Sequence, residues 1–269
     1  MHIRISHLTE YHYDAPVEFS LQRLRLTPMN FPGQNVISWK TSVDGAAVEA
    51  AYDDHFGNRV ELVSPEPNGR LISILAEGEI ETSDRHGVFG PHQGFVPLWL
   101  YLRETPLTRI GKHGRDIVRK VSGDGELEKM HRLMALVHEA VAYMPGETGI
   151  ATTAEQALEQ GAGVCQDHAH VFIACARAMG IPARYVSGYL LNGDTQQTAS
   201  HAWAEAHVSG LGWVGFDAAN GICPGENYIR MATGLDYSDA APISGMRNGS
   251  ASEIMKVAIS IEARSQSQS

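Results

Sequence analysis

Polar and apolar residues alternate from His2 to Tyr13, and the same period of two returns at Leu24–Leu26, Val36–Val43 and Val48–Tyr52. That period predicts strands with one buried face. Asp53-Asp-His-Phe-Gly-Asn58 sets turn residues between Val48–Tyr52 and Val60–Val63, which predicts a hairpin. Leu71–Ile80 is a further strand, with Ile72, Ile74, Ala76 and Ile80 on one face. Short strands at this spacing predict a β-sandwich.

Beyond a stretch rich in Gly, Pro and His at 87–97 the period changes. Ile117 and Val118 sit in a charged, helical stretch. Leu127, Met130, Met134, Val137, Val141 and Met144 then step by three and four, one apolar stripe on a helix of about five turns. Thr152-Thr-Ala-Glu155 has the form of a capping box opening a short helix through Leu158, and Gly161-Ala-Gly163 breaks it. Val164–Met179 is helical by period and stops at Gly180-Ile-Pro182. Ala183–Leu191, Ala202–Val208, Trp213–Asp217 and Ile254–Ile261 read as strands, and the polar tail 265–269 is expected to be disordered. The expected organisation is α+β: a β-rich unit over 1–105, a helix-and-sheet unit over 106–264, and the tail.

Charge and composition narrow the partners. The 269 residues include 21 basic and 31 acidic side chains, a net charge of −10. That balance argues against nucleic acid and against an anionic membrane surface. No apolar run approaches the ~18 residues of a membrane span, and the first residues lack the apolar core of a signal peptide. Three cysteines make no disulfide framework, so a reducing cytoplasm is the expected compartment.

The segment Gly161-Ala-Gly-Val-Cys-Gln-Asp-His-Ala-His170 carries the chemistry. It sets Cys165 after a glycine turn, in the first turn of a helix. Unpaired N–H groups and the positive end of the helix dipole stabilise a thiolate there and can meet a developing oxyanion. A nucleophilic thiol needs a base, and the base an orienting partner. His201 lies near the start of one strand and Asp217 at the end of the next. If those strands are adjacent and antiparallel, the two side chains are neighbours.

These blocks resemble the bacterial branch of the transglutaminase-like superfamily. The resemblance rests on Tyr143-Met-Pro-Gly-Glu-Thr-Gly149, Gly163-Val-Cys-Gln-Asp167, Gly180–Tyr189, Ser200-His-Ala-Trp203 and Trp213-Val-Gly-Phe-Asp217. The front of the chain is similar to the β-rich domain that precedes the core in this family, through Tyr11–Val17, Arg25-Leu-Thr-Pro28 and Asp54–Asn58. The resemblance implies a papain-like core of helices packed on an antiparallel sheet, behind an N-terminal β-sandwich. It implies Cys165 as nucleophile, His201 as general base and Asp217 as orienting carboxylate. It further implies thioester chemistry on a protein or peptide substrate: hydrolysis as in a protease or amidase, or transfer to an amine acceptor as in a true transglutaminase. A binding protein that keeps the fold without the activity would not need all three residues. One departure is visible: His168 stands where relatives usually carry an aromatic residue, altering packing or polarity near the thiol.

Other residues have plainer readings. Cys175 lies on the apolar stripe of the same helix and is expected in the core; Cys223, in a Gly/Pro loop, is structural or incidental. Cys165, His168 and His170 do not face one metal ion, because His168 is about 60° and His170 about 140° from Cys165 around a helix. No HExxH, calcium-loop, nucleotide, flavin or haem motif is present, so no cofactor is expected. On the strand, His201, Trp203, Glu205 and His207 share one face, while Ala202, Ala204 and Ala206 pack closely on the other. Trp203 and Trp213 are candidates for the acyl-binding cleft, although an aromatic in a strand is more often a core residue, with Gln166 beside the nucleophile as a further substrate-site or supporting residue. Glu205 and His207 read as surface or supporting residues, and Asp167 as a cap on the helix start or a tie to a neighbouring loop.

Overall fold

The alternation in the first strand becomes burial. In β1 (His2–Tyr13) every second residue from Ile3 to Tyr13 is buried. The computed structural model describes residues 1–17, 19–193, 196, 197, 199–248 and 252–264. After β1 come β2 (Phe19–Thr27), β3 (Gln34–Asp44), β4 (Ala46–Asp53), β5 (Arg59–Pro65) and β6 (Leu71–Thr82). β4 and β5 form the hairpin expected around Asp54–Asn58.

The middle of the chain holds β7 (Val88–Gly90), α1 (Lys112–Lys120), α2 (Glu126–Ala140), β8 (Ala142–Tyr143), α3 (Ala154–Gln160), β9 (Ala162–Gly163) and α4 (Cys165–Ala178). The remainder is β10 (Ala183–Leu190), β11 (Gln196–Gln197), β12 (His201–Val208), β13 (Gly212–Phe216), β14 (Tyr228–Gly234), α5 (Tyr237–Ala240), β15 (Ile243–Asn248) and β16 (Glu253–Arg264). The fold is the α+β arrangement expected: antiparallel sheets in front, and helices on an antiparallel sheet behind.

The sandwich packs a sheet of order β11-β16-β1-β6-β3 on one of order β15-β2-β5-β4. Tyr11, Leu24, Leu26, Val63, Ile72 and Ile74 fill the space between them. The rear sheet has the order β14-β10-β12-β13-β7. Against it lies α4, where Ala202, Ala204 and Ala206 share one core with Phe172, Ala176 and Phe216. Alanine side chains allow the helix to approach the strand closely, and that approach sets the depth at which Cys165 sits.

Hydrogen bonding redraws the division expected at residue 105. β15 and β16, assigned by sequence to the 106–264 unit, pair with β2 and β1 and complete the sandwich. β7, assigned to the front, pairs with β13 in the rear sheet. Local period identifies a strand and carries no information about which sheet receives it. The α2 stripe also ends early: Val141 caps the helix, and Ala142–Tyr143 pair with Ala162–Gly163 instead. The capping box is one residue on, at Thr153 and Gln156, whose side chain and amide satisfy each other. The tail 265–269 lies outside the described residues.

Two side-chain amides tie the units together. Asn58 exchanges two 2.8 Å bonds with the Thr233 backbone, and Gln34 exchanges two of 2.9 Å with that of Arg230. Ile3, Ile5, Ile80, Ile259 and Ile261 then pack with Tyr189, Ile229 and Met231. No helix among the described residues is long and apolar enough to cross a membrane.

Candidate active site

Cys165 opens α4 from a backbone shaped by two glycines. Gly161 ends α3 at φ +66, a left-handed conformation that L side chains rarely adopt. At Gly163 a Cβ would stand 2.7 Å from the Asp167 side chain. Asp167 needs that space, because its Oδ2 accepts from the Val164 amide at 2.8 Å and from the Thr148 hydroxyl at 2.7 Å. It therefore caps the helix and ties down the neighbouring loop, both roles read from sequence. Asp167 and His168 donate their amides to Val164 O. The amides of Cys165 and Gln166 stand at the helix start, where no preceding turn supplies an acceptor.

His168 bridges two elements. Its Nδ1 lies 2.8 Å from Val164 O and its Nε2 2.9 Å from Val141 O, linking the start of α4 to the end of α2. The polarity introduced at this position is thus buried and bonded to backbone. His170 faces elsewhere: it is fully buried, accepts the Tyr237 amide at 3.2 Å, and burial lowers its pKa to about 4.

His201 and Asp217 meet because β12 and β13 are adjacent and antiparallel. His201 Nε2 donates to Asp217 Oδ2 at 2.7 Å, which leaves Nδ1 for the Cys165 thiol, a group close enough to the ring to raise its pKa. Asp217 is fully buried and collects five donors. Oδ2 also accepts from Asn220 Nδ2 and the Tyr228 hydroxyl, both at 2.7 Å, and Oδ1 accepts the amides of Ala219 and Asn220.

These contacts fix the charges. Burial disfavours the His201 cation, but hydrogen bonds to Asp217 and Cys165, with the charges on both, outweigh it and raise its pKa to about 10. Burial raises Asp217, yet the bonds from His201, Asn220 and Tyr228 and the imidazolium charge hold it below the ordinary carboxylate value. The arrangement sets an imidazolium beside the candidate nucleophile, with a buried carboxylate behind it.

The supporting candidates separate. Gln166 is half-buried and donates its side-chain amide to Ile150 O at 3.3 Å, steadying the loop beside the thiol. Trp203, a cleft candidate with core as the commoner reading, is buried behind His201, its ring stacked at 6.2 Å and edge-on to Tyr228 at 5.3 Å. Trp213 follows the core reading: it is buried against His92, Tyr101 and Arg184 on the face of the sheet away from α4. Glu205 supports the fold from the interior, fully buried between Arg184 and Arg230. Cys175 is buried in the core, with its thiol pushed up to about 12, and Cys223 is half-buried.

Sequence reasoning missed three groups. Asn220 carried a signal, since Asn and Asp three residues apart form side-chain-bonded turns. Tyr228 carried none, because it arrives on β14 after a loop. Tyr143 stands half-exposed at the mouth, where burial and the charges of Cys165 and Asp217 push its hydroxyl pKa upward.

Comparison with known proteins agrees with this geometry. Residues 114–218 match the family model described as the transglutaminase-like superfamily, and residues 3–81 match the bacterial transglutaminase-like N-terminal region. An uncharacterized protein of Mycobacterium leprae is 30% identical, with 96% of this chain and 98% of that protein covered. An uncharacterized protein of Mycobacterium tuberculosis is 28% identical over 90% of this chain and 86% of its own length. The crystal structure of a candidate cysteine protease from Cytophaga hutchinsonii superposes with a TM-score of 0.78 at 23% identity, covering 98% of this chain and 92% of that one.

Proposed function

The chain belongs to the transglutaminase-like superfamily, and from that premise we propose that it is a cysteine hydrolase that cleaves a peptide or carboxamide bond through a Cys165 thioester. The observation carrying this reading is the 2.7 Å His201–Asp217 bond, with the Cys165 thiol beside the same imidazole. His201 Nδ1 takes the thiol proton, and the thiolate attacks the carbonyl carbon. The tetrahedral oxyanion is met by the Cys165 amide at the helix start. His201 returns the proton to the departing nitrogen as the C–N bond breaks. A water then loses its proton to His201, attacks the thioester, and frees the acid and the thiol. Asp217 holds the imidazole orientation throughout.

Water rather than an amine as acceptor is supported by the openness of the mouth. Tyr143 is 56% exposed and Met144 46%, and Cys165 itself is only half-buried. Efficient transfer to an amine requires a site that excludes water. A glutamine peptide incubated with and without a labelled primary amine tests the assignment. Release of ammonia or a cleaved peptide, with no labelled product and with no reaction in Cys165→Ala, is the expected result. Amine incorporation outpacing hydrolysis overturns it in favour of an acyltransferase, and the absence of both reactions leaves the binding-protein reading.

A further inference from the structure

A cavity of about 380 Å³ opens where the sandwich meets the outer face of the rear sheet, the face away from α4. It is separate from the thiol: Glu205, the ion-pair partner of two of its lining arginines, is four residues along β12 from His201, roughly 13 Å at strand spacing. Its volume falls at the lower end of the range of about 300–1,000 Å³ typical of small-molecule sites, which favour such junctions between units.

Two arginines line it. Arg184 stacks on Trp213 with its guanidinium carbon 4.0 Å from the ring centroid, and Arg230 stands 5.0 Å from that of Phe31. Both are paired with the same carboxylate. Arg184 meets Glu205 at 2.6 Å, whereas Arg230 reaches it only at 3.5 Å. Burial pulls Arg230 down to about 10, with Glu205 opposing and Arg184 reinforcing.

The remaining charges at the cavity are accounted for. Asp54 faces Arg25 at 3.5 Å and accepts the amides of Phe56 and Asn58. Both nitrogens of His92 are engaged, Nδ1 accepting from Trp213 and Nε2 donating to Val96 O. His55 stands exposed at the rim. Two guanidinium groups on one carboxylate leave a single positive charge facing a chamber walled by Phe31, Phe89, Tyr101 and Trp213.

We propose that this cavity is a binding site for an organic monocarboxylate with an aromatic or large apolar body, its carboxylate held by Arg230 and Arg184. One uncompensated charge matches a carboxylate better than a phosphate dianion, and the aromatic walls supply the apolar complement. A free small acid and the C-terminus of a peptide present the same chemistry.

The test uses the full chain carrying Cys165→Ala, so that nothing turns over. N-acetyl-phenylalanine, its neutral alcohol N-acetyl-phenylalaninol, and a tetrapeptide ending in Phe are titrated by calorimetry, and the acid complex is crystallised. The acid is expected to bind at least about tenfold tighter than the alcohol. Arg230→Gln abolishes that preference, Arg230→Lys keeps part of it, and the carboxylate lies against Arg230 in the crystal. Equal binding of acid and alcohol, binding of neither, or a ligand lodged elsewhere overturns the proposal. Should Arg230→Gln fail to fold, the acid–alcohol pair on the Arg230 protein still decides. A tetrapeptide that binds as well as the acid identifies a peptide C-terminus as the source; a much weaker one identifies a free acid.

Discussion

Tyr228 donates its hydroxyl to the same Asp217 oxygen that receives His201, each at 2.7 Å. The two donors converge from β14 and β12, so the carboxylate is fixed from both sides before it orients the imidazole. Asp217→Asn removes the charge and gives His201 a donor where it needs an acceptor. Peptide or amide turnover is expected to fall by about 10²–10⁴-fold with little change in KM. Tyr228→Phe deletes one bond from an uncharged donor and leaves the rest, a loss of about two- to tenfold. Steady-state kinetics on both variants check the order.

The raised His201 pKa sets a pH window. His201 remains protonated until the pH approaches about 10, so the imidazolium that protonates the departing nitrogen is lost only above that value. Turnover is expected to hold across neutral pH and to fall on the alkaline side near 10. Iodoacetamide labelling near pH 7, read by mass spectrometry at each cysteine, should modify Cys165 far ahead of Cys175, whose thiol burial pushes up to about 12. In His201→Ala the Cys165 labelling rate near pH 7 should fall, because the thiol then has no base beside it. Equal labelling of Cys165 and Cys175 in the native protein would remove the nucleophile from the proposal.

Glu205 is the counter-ion of two arginines and has no exposed surface. Glu205→Gln leaves both guanidinium groups without a carboxylate inside the protein. Breaking such a set costs about 3–5 kcal/mol, a large share of a typical stability of about 5–15 kcal/mol. Urea unfolding followed by circular dichroism measures the loss. The denaturant slope should stay constant while the midpoint falls.

His7 makes the protein acid-sensitive. It is buried in β1, with Nδ1 2.7 Å from the Tyr189 hydroxyl and Nε2 3.1 Å from Thr9. Burial lowers its pKa to about 4. The unfolded chain takes up this proton near about 6.5, so the contribution is present above 6.5 and lost as pH falls from there towards 4. His170 behaves in the same direction, also at about 4. His7→Gln should flatten the fall of unfolding free energy between these pH values, leaving the part due to His170.

What the sequence disclosed followed from how local each feature is. The alternation of β1, the Asp54–Asn58 turn and the alanine face of β12 are properties of neighbours in the chain. The Cys165, His201 and Asp217 blocks stood out chiefly through their resemblance to a family pattern, and the structure brings His201 and Asp217 together. The return of β15 and β16 to the sandwich was not legible, since pairing partners as distant in the chain as Leu24 from Ile243 and Tyr13 from Glu253 leave no local period. For the same reason the sequence left Trp213 between cleft and core: its strand was recognised, but the face it presents depends on which side α4 packs. Tyr228 belongs to the site only through a tertiary contact with Asp217.

His168 is the one departure from its relatives that sequence placed beside the thiol, and its geometry yields a separable prediction. The Val164 carbonyl it touches also accepts the amides of Asp167 and His168, whereas its Nε2 bond reaches across to Val141 O at 2.9 Å. His168→Phe fills the space but gives that carbonyl no donor, at a cost of about 1–3 kcal/mol. Because the lost bond tethers α4 one turn past Cys165, thiol labelling and turnover should slow as stability falls. His168→Gln retains a side-chain N–H of comparable reach and should recover part of both. Unfolding curves and labelling rates on the two variants distinguish a polar tether from simple filling, since filling alone predicts that Phe outperforms Gln.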